Sequence, residues 1–261
     1  MGRFDGKVAW ITGGGTGIGR ACALELGRQG AAVAVSGRRL DRLQAVVAEL
    51  EAIGARALAV PCDVAKEDEV RAAVAQVVGA LGGIDVLLAN AGFGVAGKVV
   101  ELSDADWRRQ FDVNLFGLVS CVREAMPHLV ARGGRVAVLG SVMAYLTLPK
   151  NGPYAASKAA VRMVGETLSM ELAGSGVSCT TIHPGFIESE IGQVDNEGVF
   201  REDRRDRRPA KLMWKAEDAA RVMVDGLYRR RREVLVTGHG KVAVWLARFA
   251  PWLISLAGPR M

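Results

Sequence analysis

Tyr154 and Lys158 stand four residues apart in the run Tyr154-Ala155-Ala156-Ser157-Lys158, with Ser141 thirteen residues upstream. Small, helix-favouring residues follow Tyr154, and Pro153 suits a first helical turn, so this stretch predicts a helix. On a helix, residues i and i+4 share a face, which places a phenol beside an ammonium. The positive charge favours phenolate and lowers the tyrosine pKa from its usual value of about 10. A tyrosine tuned in this way gives a proton to a carbonyl oxygen or takes one from an alcohol. The same spacing is also an ordinary feature of amphipathic helices, so its chemical meaning depends on the rest of the chain.

A second chemical stretch, Thr12-Gly13-Gly14-Gly15-Thr16-Gly17-Ile18-Gly19, directly follows the apolar run Val8–Ile11. Glycines let the backbone approach a pyrophosphate, and the helix opening at Gly19 offers free N–H groups and a positive dipole end. The register is Gly-x-x-x-Gly-x-Gly, not Gly-x-Gly-x-x-Gly, and no Gly-Lys-Ser/Thr follows, which excludes a P-loop. At the end of the second apolar run, an Asp or Glu would bind the ribose hydroxyls of NAD. Here Ser36-Gly37-Arg38-Arg39 puts no carboxylate in the way of a 2′-phosphate and supplies two guanidiniums to clamp it. The expected cofactor is therefore NADP(H) in preference to NAD(H), although Arg38 and Arg39 also suit the exposed start of a helix.

Positioning these stretches requires a particular frame. Apolar runs at Val8–Ile11, Ala32–Val35, Ala57–Val60, Asp85–Leu88, Arg135–Leu139, Ser178–Ile182 and Glu233–Val236 alternate with helix-like stretches. These stretches are Gly19–Arg28, Asp41–Ile53, Lys66–Leu81, Asp104–Ala131 and Pro153–Ala173. Continuous apolar runs suit strands covered on both faces. The prediction is an α/β, doubly wound (Rossmann) sheet of about seven parallel strands, with helices on both faces and ligands at the carboxyl ends of the strands. Ser103 with Asp106 three residues on marks a helix start. The two longest helices are apolar around much of their circumference, as expected if they meet both the sheet and another subunit.

Composition narrows the field further. Of 261 residues, 50% are hydrophobic and 24% charged, which supports a substantial core and excludes general disorder. Cys22, Cys62, Cys121 and Cys179 are scattered, without a Cys-x-x-Cys pair or a histidine cluster, so neither a metal site nor a disulfide framework is expected. Residues Met1–Lys7 hold no apolar run, so no secretory signal is read and a cytoplasmic location is expected. The net charge of +6 is concentrated in Arg201–Arg208, which includes Glu202, Asp203 and Asp206, and in Arg229–Arg232. Neither stretch carries aromatic interleaving or zinc-finger spacing, so solvated faces are expected and a nucleic-acid partner is not.

The motifs resemble those of the short-chain dehydrogenase/reductase family from about Lys7 to Val236. They come in order: Thr12-Gly13-x-x-x-Gly17-Ile18-Gly19, Asp63-Val64, Asn90-Ala91-Gly92, Asn114, Ser141, Tyr154-x-x-x-Lys158 and Pro184-Gly185. The resemblance implies that Asn114, Ser141, Tyr154 and Lys158 are catalytic. Ser141 would hold the substrate oxygen, and Tyr154 would exchange the proton. Lys158 would grip the nicotinamide ribose and lower the tyrosine pKa, and Asn114 would hold a water linking Lys158 to solvent. Cofactor contacts are expected from Gly13, Gly15, Thr16, Gly17, Ile18, Gly19, Ser36, Arg38, Arg39, Asp63, Val64, Asn90, Ala91, Gly92, Tyr154, Lys158, Pro184, Gly185, Ile187 and Ser189. The family's Asn-Asn-Ala-Gly reads Ala89-Asn90-Ala91-Gly92 here, and its Pro-Gly-x-x-x-Thr ends in Ser189.

The resemblance also implies hydride transfer between the nicotinamide and a carbonyl or alcohol carbon. One catalytic domain over residues 1–240 is expected, with a charged lid near 188–215 in which Phe200, Met213 and Trp214 are the large apolar residues. Phe93, Val95, Val142, Met143, Tyr145 and Leu146 would make an apolar pocket suited to a hydrophobic carbonyl or alcohol. Residues 241–261 form an apolar tail, expected to be helical, that packs on a neighbouring subunit or, alternatively, lies in a membrane interface. A homodimer or homotetramer is expected. Two further roles fit the same residues: reduction of 3-oxoacyl groups on an acidic carrier protein docked on Arg201–Arg208, and a cofactor sensor without turnover. The filled catalytic positions argue against a sensor.

Overall fold

The computed structural model describes residues 2–146, 148–206 and 208–252. Its centre is β1 (Val8–Thr12), where side-chain alternation buries both sheet faces. Ala9 and Ile11 join one apolar layer, and Val8 and Trp10 join the other. A strand with no polar face needs helices on both sides of its sheet. The indole of Trp10, fully buried, keeps a partner by donating to Ser36 Oγ at 2.7 Å.

The remaining strands are β2 (Ala32–Gly37), β3 (Ala57–Pro61), β4 (Val86–Ala89), β5 (Arg135–Leu139), β6 (Ser178–His183) and β7 (Glu233–Leu235). All seven are parallel, in the order β3-β2-β1-β4-β5-β6-β7. Helices α1 (Gly17–Arg28), α2 (Leu40–Ala52) and α7 (Ala216–Tyr228) contribute to one apolar layer. Helices α3 (Glu67–Leu81), α5 (Leu118–Ala131) and α6 (Gly152–Glu171) contribute to the other. The order reverses between β1 and β4, and this switch point opens a crevice at the strand ends.

Where the structure departs from the sequence reading, the causes are local. The fourth strand starts at Val86, one residue late, because Asp85 turns its carboxylate back onto the chain. Asp85 Oδ2 accepts from the N–H of Val8 at 3.0 Å, and Lys7 and Arg132 neutralise the carboxylate at 3.1 and 3.2 Å. The seventh strand ends at Leu235 rather than Val236, and α1 begins at Gly17, inside the glycine run. The long helix read over Asp104–Ala131 is three pieces: α4 (Asp104–Phe111), a wider π turn over Asp112–Gly117, and α5. Ser103 opens α4 through a full capping box with Asp106. The π turn buries Asn114, a placement a regular helix does not signal. Part of the C-terminal tail is α8 (Gly238–Phe249), and residues 253–261 lie outside the described residues.

Candidate active site

The β1–α1 turn is held by close backbone approach. Gly13 has φ 63°, and Gly19 packs so closely that a Cβ there would lie 2.1 Å from the Gly13 carbonyl oxygen. Asn90 Nδ2 donates to the carbonyls of Thr12 (2.8 Å) and Gly13 (3.1 Å), while Thr12 Oγ1 accepts from the N–H groups of Asn90 and Ala91. These bonds tie the end of β1 to the end of β4. Thr16 caps α1 without a side-chain bond, and the first turn holds no acid, so the helix N–H groups and dipole end remain available to an anion. A dinucleotide pyrophosphate fits this cradle. The surrounding crevice is lined by Gly13, Gly15, Thr16, Gly17, Ile18, Gly19, Arg38, Arg39, Asp63, Val64, Asn90, Ala91, Gly92 and Ser189, all read from the sequence.

Ser36 does not belong to that set. Its side chain is buried and accepts from Trp10, and Gly37 lines the crevice instead. Alternation along β2 turns position 36 into the sheet layer and away from the crevice. Arg42, one helical turn beyond Arg38, joins Arg39 at the crevice wall. The expectation that no carboxylate stands near these arginines is also corrected. Glu190, remote in sequence, places Oε2 2.6 Å from Arg39 and Oε1 3.9 Å from Arg42. Arg38 donates to the Gly198 carbonyl, and the Arg39 guanidinium lies 5.5 Å over the Phe200 ring. A distant segment therefore rests on the guanidiniums that the β2–α2 turn presents.

The residues read as catalytic converge at the ends of β4 and β5. Ser141, Tyr154 and Lys158 line one cavity beside the crevice. Asn114 and Lys158 flank Gly92, where a Cβ would lie 3.0 Å from Asn114 Oδ1 and 3.7 Å from Lys158 Nζ. The Asn114 amide is spent on structure. It accepts from the N–H of Phe93 and donates to the Phe93 carbonyl, both at 3.0 Å, and to Ser157 Oγ at 3.2 Å. Lys158 Nζ donates to the Leu139 carbonyl at 2.7 Å, and burial pulls its pKa down to about 8.

The expected depression of the Tyr154 pKa by Lys158 is not what the structure shows. Burial raises it above the usual phenol value, and only the Ser141 hydroxyl and the Arg208 guanidinium pull it back. Lys158 Nζ lies 5.9 Å from the centre of the Tyr154 ring. Desolvation of the phenolate outweighs one ammonium at that range. Arg208 was not legible as a site residue. It donates to the carbonyls of Ile187 (2.8 Å) and Ser189 (2.7 Å) and to Ser189 Oγ (3.2 Å), and it pairs with Asp206 at 2.7 Å.

The cavity that opens onto Ser141 and Tyr154 has a volume of about 1150 Å³. Pro184, Gly185, Ile187 and Ser189, expected at the nicotinamide end, border it together with Val142, Met143 and Leu146. Phe93 lines the crevice instead, and Val95 is core. Tyr145 turns away, donating to Glu233 and stacking under Arg162 (4.6 Å) and Arg248 (4.7 Å). Beside it, the fully buried His183 bonds through Nδ1 to the Ser141 carbonyl at 3.0 Å and so fixes the backbone of Ser141. Carbonyls accept only, so Nδ1 carries the proton. The stretch after β6 that lines part of the cavity is pinned at its stem: Glu188 N–H to Trp214 O (2.9 Å) and Trp214 N–H to Phe186 O (3.0 Å). Among the described residues, no group of His, Cys, Asp or Glu could hold a metal ion.

Residues 7–199 match the family model described as short chain dehydrogenase. An 11-beta-hydroxysteroid dehydrogenase A of Sesamum indicum is 34% identical over 262 residues, covering 96% of this chain and 75% of that protein. The crystal structure of a short chain dehydrogenase/reductase from Burkholderia phymatum in complex with NAD superposes with a TM-score of 0.85. It is 30% identical, and the match covers 99% of this chain and 97% of that one. A short chain dehydrogenase from Burkholderia cenocepacia in complex with NADP gives a TM-score of 0.80 at 33% identity, with coverage of 92% and 99%.

Proposed function

The chain belongs to the short chain dehydrogenase family, oxidoreductases acting on CH–OH and C=O groups with an NAD(P) cofactor, and from that premise we propose that it interconverts a bulky apolar ketone and its secondary alcohol with NADP(H). The observation that carries the substrate reading is the large, mainly apolar cavity that meets Ser141 and Tyr154 beside the cofactor crevice. The similarity to a protein named for hydroxysteroid oxidation supports the same size class. Support for NADP(H) comes from Arg38, Arg39 and Arg42 along one wall.

When bound, the nicotinamide supplies or accepts the hydride. The protein's own residues do the rest. Ser141 holds the substrate oxygen next to the Tyr154 phenol, with its backbone fixed by His183. The raised pKa keeps Tyr154 protonated at neutral pH, ready to give its proton to an oxygen gaining charge. Lys158, anchored on Leu139, would grip the nicotinamide ribose. Segment 188–214 covers the reacting groups and excludes water.

The assembly reading is a homo-oligomer. Exposed Phe116, Val130, Met163 and Met170 on and beside α5 and α6 support it, as does α8, which leaves Val242, Trp245 and Phe249 exposed. No helix among the described residues is long and apolar enough to cross a membrane.

Tyr154→Phe tests the chemistry. Turnover followed by NADPH absorbance should fall by at least about a hundredfold, the scale of lost general acid catalysis. NADPH affinity should stay within about twofold, because the phenol hydroxyl contributes little to ground-state cofactor binding. Turnover close to that of the unmodified protein would remove Tyr154 from the reaction.

A further inference from the structure

Two chemically different sets of residues line the substrate cavity. Ser141 and Tyr154 offer hydroxyls to a reacting oxygen. At the covering segment, Arg204, Arg205 and Arg208 line the same cavity, and Asp206 is the one carboxylate among its lining residues. Asp206 is already committed, pairing with Arg208 through both oxygens, and that contact holds its pKa below the usual carboxylate range. Arg208 is likewise spent on Asp206 and on the Ile187 and Ser189 carbonyls. Arg204 gives one N–H to the Val194 carbonyl. Arg205 makes no hydrogen bond or ion pair with any described residue. Neither guanidinium forms an ion pair with a described residue.

They are also not placed for the cofactor's phosphates. The crevice that holds the phosphate cradle is lined by Arg38, Arg39 and Arg42, and neither Arg204 nor Arg205 borders it. Uncompensated positive charge at the edge of an apolar cavity is focused into that cavity by its low-dielectric walls. It attracts an anionic group carried by a ligand whose body is apolar. A guanidinium matches carboxylate and phosphate geometry through paired N–H donors.

We propose that the natural substrate is amphipathic: an apolar body carries the reacting carbonyl or alcohol at one end and, at the other, an anionic group recognised by Arg204 and Arg205. This rests on the reading of the cavity as the substrate site of an oxidoreductase and specifies the substrate's far end. Two sources present the same chemistry, namely the carboxylate of a free acid and the phosphate of a pantetheine arm bearing an oxoacyl group.

Matched pairs of substrates test it. The first pair is a bulky apolar ketone with a terminal carboxylate and its methyl ester. The second is a 3-oxoacyl thioester of pantetheine with and without the 4′-phosphate. For each pair, the ratio of kcat/KM for the charged and uncharged members is measured with NADPH at low and high salt. The unmodified protein should favour the charged member of one pair by about tenfold, a preference that shrinks with salt. The ratio should fall to near one in the Arg204→Gln/Arg205→Gln double variant, and direct calorimetric binding of the charged alcohol product should weaken in step. Preference in the first pair assigns a free acid, and preference in the second assigns a carrier arm. Equal use of both members of each pair by the unmodified protein overturns the anionic end while leaving the oxidoreductase reading intact. Failure of all four compounds, with the product not bound, overturns that reading and the proposal together.

Discussion

The crevice between β1 and β4 and the cavity beside it share Ile18, Asn90, Gly92 and Ser189 among their walls, yet they are built by different means. In the crevice, most of the work falls to the backbone: the uncapped N–H groups at the start of α1, on a turn locked by the Thr12–Asn90 bonds. In the cavity, side chains drawn from α6, α8, the β5 and β6 ends and the covering segment make the walls. Backbone recognition demands particular residues at fixed spacing, because only glycine permits the close approach. Side-chain recognition demands shape and charge, which many sequences supply.

The sharpest way to break this contrast is to add one methyl group to the backbone side. In Gly19→Ala the new Cβ would stand 2.1 Å from the Gly13 carbonyl oxygen and 2.7 Å from Asn90 Nδ2, and neither is the free end of a flexible chain. The turn must move. Cofactor affinity, measured by quenching of tryptophan fluorescence, should fall by about ten- to a hundredfold, the equivalent of about 1–3 kcal/mol of overpacking. Gly79→Ala in α3 is the control, since a Cβ there meets nothing within 4 Å. It should leave affinity unchanged and raise stability by about 0.5–1 kcal/mol. Equal affinity in both variants would show that the cradle is not where the cofactor binds.

Lys158 sits where the two regions join, and it imposes a cost on the fold. Its pKa is about 8 in the folded chain against about 10.4 when unfolded, because burial disfavours the ammonium. Between those values the unfolded chain holds more protons, so stability rises with pH from about 8 to 10.4 and the penalty is full below 8. The size is about 3 kcal/mol at pH 7. Lys158→Met removes the titration. The stability of the unmodified protein relative to this variant, from urea melts without cofactor, should rise by about that amount between pH 7 and pH 10.5. A difference that stays flat with pH would mean that the lysine is better solvated than its surroundings indicate.

The same contrast accounts for what the sequence made legible. The sheet and its helices followed from alternating apolar runs, the glycine turn from its place between a strand and a helix, and most other crevice residues from the family resemblance. Asn114 was found as a motif residue, but the π turn that turns it inward leaves no mark on the apolar pattern. Ser36 was misplaced because a position in a motif does not say which face of β2 a side chain takes. The direction of the Tyr154 shift was misread because the sequence shows its neighbour, Lys158, and not how its surroundings desolvate the phenol. Arg208 and Glu190 were missed for one reason: each reaches its partners from the long segment after β6, where no periodicity fixes a side chain's position.

Glu190 gives the finest test, because it lies in the covering segment and acts on the crevice. Its carboxylate pairs with Arg39 and approaches Arg42, the guanidiniums suited to a 2′-phosphate. An incoming phosphate and the carboxylate compete for the same donors, so the carboxylate weakens phosphate binding and the phosphate loosens the segment. These side chains are partly exposed, so the contribution is that of a screened pair, roughly 1 kcal/mol. Glu190→Gln should therefore tighten NADPH about fivefold, with NADH affinity unchanged, because NADH brings no group for the freed arginines. Arg39→Ala should cancel the gain. If NADH affinity falls instead, then Glu190 accepts from the adenosine ribose hydroxyls. The segment would then contribute the acid that β2 lacks, and the cofactor preference would reverse.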